Sequence, residues 1–424
     1  MPEAPLPRAC DALVIGGGPA GAAAAAVLAG AGRKTVVLEK RTFPRYSVGE
    51  SLLPACFHPL RRIGALDAVR KAAFVSKHSV QFASVEGRVS RPFYFFEHLD
   101  DESATTWQVH RADFDRILLN NASEQGARVR TGARVTRLVL EHDAVAGARY
   151  RSGDLEGTVR APITLDCTGR DAVAARAFGW RVVDPVLRKV SMWSYFRDAR
   201  RDPGLDAGAT TIAMLPGKGW LWNIPLAGGE TSVGVTAEPA YLYRDGRDPD
   251  RIFERELGNN GWIRDHLEGA RQVQPVRVTG DYSYRSRHAA RDGLALAGDA
   301  FAFLDPVFSS GVFLALWSGE ALGQAALAAL DAGDVRAERF TPYARRLRAG
   351  IEAIRKLVYA FYDPGFRFAD LLGRRPDLRR DLTDCLVGNL FRDFSRLHRA
   401  LAELAAIPDD LEQGLPLPAA PAPA

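Results

Sequence analysis

Asp11-Ala-Leu-Val-Ile15-Gly16-Gly17-Gly18-Pro19-Ala20-Gly21 is the stretch whose reading decides the fold. Residues 11–15 form a short run of the buried-strand type. The next six residues contain G-x-G-x-x-G, and the alanine-rich stretch 22–28 is a strong helix former. Strand, glycines and helix in that order give the motif the context in which it binds a dinucleotide. Gly16 permits the tight turn, Gly18 lets the backbone approach a pyrophosphate, and Gly21 lets helix and strand pack closely. Pro19 and Ala20 open the helix, where phosphates meet the positive end of its dipole. A second strand at residues 35–38 ends in Glu39, 18 residues beyond Gly21, and a carboxylate there can bind a ribose diol. The motif by itself does not choose between NAD and FAD.

The same region contains 21 consecutive uncharged residues, 12–32, a length that could cross a bilayer. Its six glycines and one proline fit a nucleotide-binding turn instead, so no membrane span is expected. The whole chain of 424 residues is long enough for two or three domains, or one large domain with an insertion. With 47% hydrophobic and 25% charged residues, it is not a wholly disordered chain. The net charge of +5 is unevenly spread. Residues 341–380 carry ten Arg or Lys and four acids, which is +6, so the remainder sums to −1. The body of the chain is therefore no general nucleic-acid binder, and any acidic partner has to meet the late segment.

Four dispersed cysteines without C-x-x-C, and histidines without H-x-x-x-H, indicate neither a disulfide framework nor a metal site. The start of the chain lacks an apolar signal core, and a cytoplasmic location is expected.

Later segments favour FAD. Asp292-Gly-Leu-Ala-Leu-Ala-Gly-Asp299 resembles the late Gly-Asp strand end of FAD enzymes of the glutathione-reductase type, where the aspartate contacts the ribityl chain. Thr164-Leu-Asp-Cys-Thr-Gly169 and Gln108-Val-His-Arg111 resemble two further segments of that group, in the same order.

Several motifs between residues 10 and 330 resemble those of the flavin-dependent halogenases. They are Phe43-Pro-Arg45 followed by Gly49-Glu-Ser-Leu-Leu-Pro54, Trp220-Leu-Trp222-Asn-Ile-Pro225 for W-x-W-x-I-P, and Phe303-Leu-Asp-Pro306-Val-Phe308-Ser309-Ser310-Gly311 for F-x-x-P-x-x-S-x-G. Lys77 stands where that family carries an essential lysine. Phe308 replaces the glutamate of tryptophan halogenases, which matches the phenol- and pyrrole-directed branch. Lys77-His-Ser79 departs from that branch's K-x-G.

The resemblance implies an α/β fold: a glutathione-reductase-type FAD-binding (Rossmann-like) domain, discontinuous over about 8–85, 105–182 and 285–335. An antiparallel sheet on the substrate side is inserted at 183–284. A helical region follows at 336–412, with a disordered Pro/Ala tail at 413–424. The resemblance assigns Gly16, Gly18, Pro19, Ala20, Gly21, Glu39, Lys40 and Arg45 to FAD, and also Gln108, Arg111, Asp299, Pro306 and Gly311. Ser310 and Gly311 would bind halide through their N–H groups. Trp220, Trp222, Phe303, Phe308 and Ser309 would line the route to the substrate, Ser309 also fitting a helix N-cap.

The implied chemistry starts from FADH2, supplied by a separate NADH-dependent flavin reductase. A flavin hydroperoxide oxidises chloride or bromide to hypohalous acid, which is relayed to Lys77 and on to an electron-rich aromatic. That aromatic would be a phenol or pyrrole, free or on an acyl or peptidyl carrier protein. Three alternatives remain open: an aromatic monooxygenase, an isoprenoid-type reductase, and a non-catalytic flavoprotein.

Overall fold

The computed structural model describes residues 6–280, 282–410 and 414–417. Strand β1 (Ala12–Ile15) is buried at every position, and so is β2 (Thr35–Leu38), which runs parallel to it. Strands covered on both faces are uniformly apolar, which is why these short runs carry no alternation. Helix α1 (Pro19–Gly30) connects them, with Pro19 in its first turn. The sheet has six strands in the order Ala290–Arg291, Leu294–Leu296, Ile163–Asp166, β1, β2 and Arg128–Arg130. All neighbours are parallel except the first pair.

The helix Gly311–Asp331 lies against α1. Glycines allow the approach: a Cβ on Gly319 would stand 2.1 Å from the Ala20 carbonyl oxygen, and one on Gly323 would stand 3.0 Å from that of Ala24. This helix is long and apolar enough to cross a membrane, at a mean hydropathy of 1.3, but 72% of the apolar stretch is buried inside the protein. It is therefore a core helix.

A second sheet of eight strands stands beside the first. Its central strands, Val190–Arg197, Glu230–Ala237, Trp220–Pro225 and Thr210–Met214, pair antiparallel. Alternation divides their side chains. Trp193, Tyr195, Trp220 and Trp222 join the main core. Met192, Phe196, Leu221 and Val233 join a second core, with Phe253 and Ile263 from the helices Pro249–Gly258 and Gly261–His266. Within 183–284 these strands pair antiparallel, and the sheet also takes strands from before that span. Strand β4 (Ser79–Ala83) adds to Thr210–Met214 in parallel. It reaches that edge because β3 (Val75–Lys77), one residue earlier, pairs with Thr106–Gln108 at the seam between the sheets.

The C-terminal region is helical over Thr341–Tyr362, Phe368–Arg374, Arg379–Val387 and Ser395–Ala402. Gly388, at φ 93, ends the third helix. The Pro/Ala tail departs from expectation at its start. Gly414–Leu417 runs along residues 287–290, with Ala289 N–H donating to the Leu415 carbonyl and Leu417 N–H to that of Ala290. An exposed strand edge supplies the partners that the composition did not reveal. Residues 418–424 lie outside the described residues.

Candidate active site

The glycine loop after β1 is shaped by close backbone approach. Gly16 has φ 102, and a Cβ on it would stand 2.3 Å from the Cys167 carbonyl oxygen. A Cβ on Gly21 would stand 1.8 Å from that of Gly16. Gly18 caps α1 without a side-chain bond, so the first amides of the helix are left to other acceptors. Glu39 is buried; its Oε2 accepts Gly17 N–H at 2.8 Å and its Oε1 accepts Arg41 N–H at 2.8 Å. Arg45 reaches the loop from the other side, with Nη2 3.1 Å from Asp115 Oδ2 and 3.3 Å from where a Gly18 Cβ would stand. A cavity beside the loop is lined by Gly16, Glu39, Lys40, Thr168 and Asp171. Lys40 is ion-paired to Asp171.

A second cavity opens between the sheets, lined by Tyr46, Glu50, His110, Arg111 and Tyr195. Asp115 holds Arg111 with two bonds of 2.8 and 3.0 Å, and Arg111 Nη1 donates to the Val48 carbonyl at 2.8 Å. Glu50 accepts the Tyr195 hydroxyl at 2.6 Å; burial raises its carboxyl above the usual range, and the hydrogen bond only partly offsets that. Asp299, at the end of the Leu294–Leu296 strand, is pushed up to about 6 by burial, against the pull of Arg170 and Arg111.

Lys77 is fully buried. Its Nζ donates to Ser51 Oγ at 2.8 Å and to the Leu52 carbonyl at 3.1 Å, and stands 5.4 Å from the Phe95 ring centre. Burial lowers its pKa to about 7, the charged form being the costly one in an apolar surround. The neighbouring Cys56 thiol is pushed up to about 12 by the same burial and stays neutral. Ser51 shares a 2.8 Å hydrogen bond with Thr210. Gln108 Nε2 donates to Thr210 Oγ1 at 2.8 Å and to the Gly208 carbonyl at 3.0 Å. Gln108, expected at the flavin, thus commits its amide nitrogen to the lysine network. Its Oε1 is buried without a hydrogen-bond partner among the described residues.

Trp220 and Trp222 project from one face of their strand, ring centres 5.8 Å apart. Trp222 Nε1 donates to Ser232 Oγ at 3.1 Å, and Trp220 Nε1 to the Tyr362 hydroxyl at 2.8 Å. The loop after Phe303 makes a short turn at Pro306–Phe308. The ring of Phe303 is edge-on to Tyr282, and Phe308 is buried. The expected N-cap is corrected: Ser309 is left-handed at φ 54, a conformation outside the extended range of a cap, and Ser310 occupies the cap position of Gly311–Asp331. A left-handed residue followed by a right-handed one turns successive N–H groups to one side. A Cβ on Gly311 would meet nothing within 4 Å, so the backbone is open there.

The family model described as "FAD binding domain" matches residues 9–356. The solved myxobacterial chondrochloren halogenase CndH is 31% identical at a TM-score of 0.79, covering 93% of this chain and 96% of that one. The chain belongs to the flavin-dependent halogenases. This halogenase is also 29% identical to the 1H-pyrrole-2-carbonyl-(peptidyl-carrier protein) chlorinase of Pseudomonas fluorescens, over 95% of its own length and 94% of the relative's. The solved flavin-dependent brominase Bmp2 matches at 25% identity and a TM-score of 0.84, covering 93% of this chain and 98% of that one.

The halogenase is an FAD-dependent oxidoreductase, and its residues fit that cofactor. A Cβ at Gly16 or Gly21 would collide with backbone, α1 begins without a side-chain cap, and Glu39 stands just after β2. Among the described residues no group of His, Cys, Asp and Glu could hold a metal ion. The sequence did not point to Thr210, Tyr195 or Tyr362. Ser51 lies within the Gly49–Pro54 motif, but nothing there singled out its hydroxyl. The hydrogen-bond partners of Thr210 and Tyr362 are more than 50 residues away.

Proposed function

We propose that the protein halogenates an electron-rich aromatic of the pyrrole or phenol type, presented on an acyl or peptidyl carrier protein or free, with Lys77 delivering the halogen. The buried lysine with a pKa near 7 carries this reading. Reduced FAD with dioxygen supplies the two-electron oxidising equivalent that turns chloride or bromide into hypohalous acid. Gly16, Gly18, Pro19, Ala20 and Gly21 would hold its phosphates, with Glu39, Lys40, Arg45, Arg111, Asp299 and Pro306 around the remainder. The N–H groups of Ser310 and Gly311 would hold the halide.

Burial favours the uncharged amine of Lys77. A neutral amine has two N–H groups, and Ser51 and the Leu52 carbonyl take both. The nitrogen lone pair is then the group's remaining function. It accepts a hydrogen bond from the hydroxyl of hypohalous acid, which stays intact, or attacks the halogen to form a haloamine and water. The aromatic carbon then takes the halogen. From the haloamine, its displaced proton goes to the amine; from hypohalous acid, that proton leaves with the hydroxide as water. Burial keeps water away from both oxidised species. Trp220 and Trp222 would stand between the flavin and the aromatic substrate, which would favour halogenation over direct hydroxylation. The carrier-bound form follows the pyrrole-2-carbonyl carrier protein of the Pseudomonas relative.

A separate NADH-dependent reductase supplies the reduced flavin, since the chain carries one dinucleotide fingerprint. Rapid reduction of its FAD by NADH without that reductase would contradict this. The substrate is tested by mass spectrometry on pyrroles, phenols and indoles, free and carrier-bound, with a flavin reductase and each halide. One added halogen mass is expected on a pyrrole or phenol; hydroxylation independent of halide would replace the reading with a monooxygenase.

A further inference from the structure

Two consecutive residues at the end of the Thr341–Tyr362 helix grip the 305–311 loop. The Tyr362 hydroxyl accepts Trp220 Nε1–H at 2.8 Å and donates to Asp305 Oδ2 at 3.0 Å. Asp305 Oδ1 in turn accepts Val307 N–H at 3.0 Å and caps the Pro306–Phe308 turn. Phe361 stands edge-on to Phe308 at 6.0 Å between ring centres, and Phe368 does the same at 6.4 Å. Trp220, Asp305 and Tyr362 are all buried. Lys189 Nζ stands 4.2 Å from the Tyr362 ring centre and is ion-paired to Glu238 at 2.9 Å.

One hydroxyl therefore ties three parts of the chain together: the loop, the tryptophan strand and the C-terminal helix. The loop needs such a tie. Ser309 is a non-glycine residue in the left-handed region, a conformation that persists only when its surroundings impose it. A halide is a sphere held by converging N–H groups, so its affinity depends on the fraction of molecules in which the loop has that one shape.

We propose that Tyr362 is a positioning residue for the halide. Through Asp305 it holds the 305–311 loop in its binding shape, and through Trp220 it sets that loop against the tryptophan strand. The inference rests on the reading of Ser310 and Gly311 as the halide donors. Tyr362 lies beyond residue 356, where the match to the FAD-binding family model ends.

The test uses the full-length, FAD-loaded protein and chloride itself. Thermal stability is titrated with chloride against gluconate at constant ionic strength, and FAD retention is measured alongside. Tyr362→Phe should raise the half-saturating chloride concentration about tenfold, because removing the hydroxyl strands two buried polar groups. Asp305→Asn breaks the same grip from the loop side and should shift it in the same direction. Tyr359→Phe is the control: one turn earlier, its hydroxyl bonds Asp184 at 2.7 Å instead. It should lower stability without moving the chloride midpoint. Equal midpoints for Tyr362→Phe and wild type, or equal shifts for the two tyrosine variants, would overturn the role of Tyr362 and leave the halide reading intact. Absence of any chloride-specific stabilisation in wild type would reject the halide reading, and the inference with it.

Discussion

The nucleotide end and the lysine end of this halogenase are built on opposite plans. At the nucleotide end, one β–α–β unit supplies the glycine loop and its acid. Gly16 and Gly21 let backbone meet backbone, and Glu39 bonds the Gly17 N–H of the loop it follows. At the lysine end, Lys77, Ser51, Thr210 and Gln108 come from four separate segments, and Trp220, Asp305 and Tyr362 from three more. A backbone cradle fails at once when a side chain is added. A side-chain network loses function in steps, member by member, while the fold around it survives.

The sharpest way to break this contrast is Gly21→Val. Its Cβ would stand 1.8 Å from a carbonyl oxygen in the sheet-to-helix turn, so loss of FAD and a cost above about 4 kcal/mol are expected. Flavin absorbance of the purified protein and chemical denaturation read both. A folded, yellow variant would mean that the cradle is not tight.

Lys77 should show its burial as a pH dependence of stability. Its folded pKa of about 7 lies below its ordinary value of 10.5, so between those limits the unfolded chain binds more protons. Wild type should therefore gain on Lys77→Met by up to about 1.4 kcal/mol per pH unit as pH rises above 7. Denaturation of both proteins at pH 7 and pH 9 measures this, and parallel behaviour would place the lysine in water. Below pH 7 the protonated amine loses its lone pair, so halogenation should fall with an apparent pKa near 7.

Glu39→Gln keeps the shape but weakens the acceptor for Gly17 and Arg41, and FAD affinity should drop about tenfold in a flavin titration. The smallest effect belongs to the basic C-terminal region. Part of its charge is spent internally: Arg355 pairs with buried Glu352, Arg375 with Asp377, and Arg346 stacks over Trp317. Reversing Arg374, Arg379 and Arg380 should raise KM for a carrier-bound substrate about two- to fivefold, more at low salt, and leave a free substrate unaffected.

The same contrast explains what could be read in advance. The strand–glycine–helix unit is local, so spacing alone carries it, and the W-x-W strand is marked by its motif. Lys77 drew notice only through its motif, because nothing in its neighbours separates a buried lysine from Lys71 or Lys40. Ser51 and Thr210 are ordinary hydroxyls until folding brings them together across 159 residues. Tyr362 ends an amphipathic helix whose outward reading was a charged face. Ser309 was expected as a cap because serine favours that place, and the Asp305–Val307 turn before it imposes a left-handed conformation instead.

The central claim is that Lys77 carries the halogen to the substrate. The most direct test runs wild type and Lys77→Ala side by side, FAD-loaded, with reductase, NADH, oxygen, chloride and the aromatic substrate found by screening. Lys77→Ala should bind FAD and consume reduced flavin at the wild-type rate, yet give roughly a hundredth or less of the chlorinated product by mass spectrometry. Chlorination by Lys77→Ala at the wild-type rate would contradict the account.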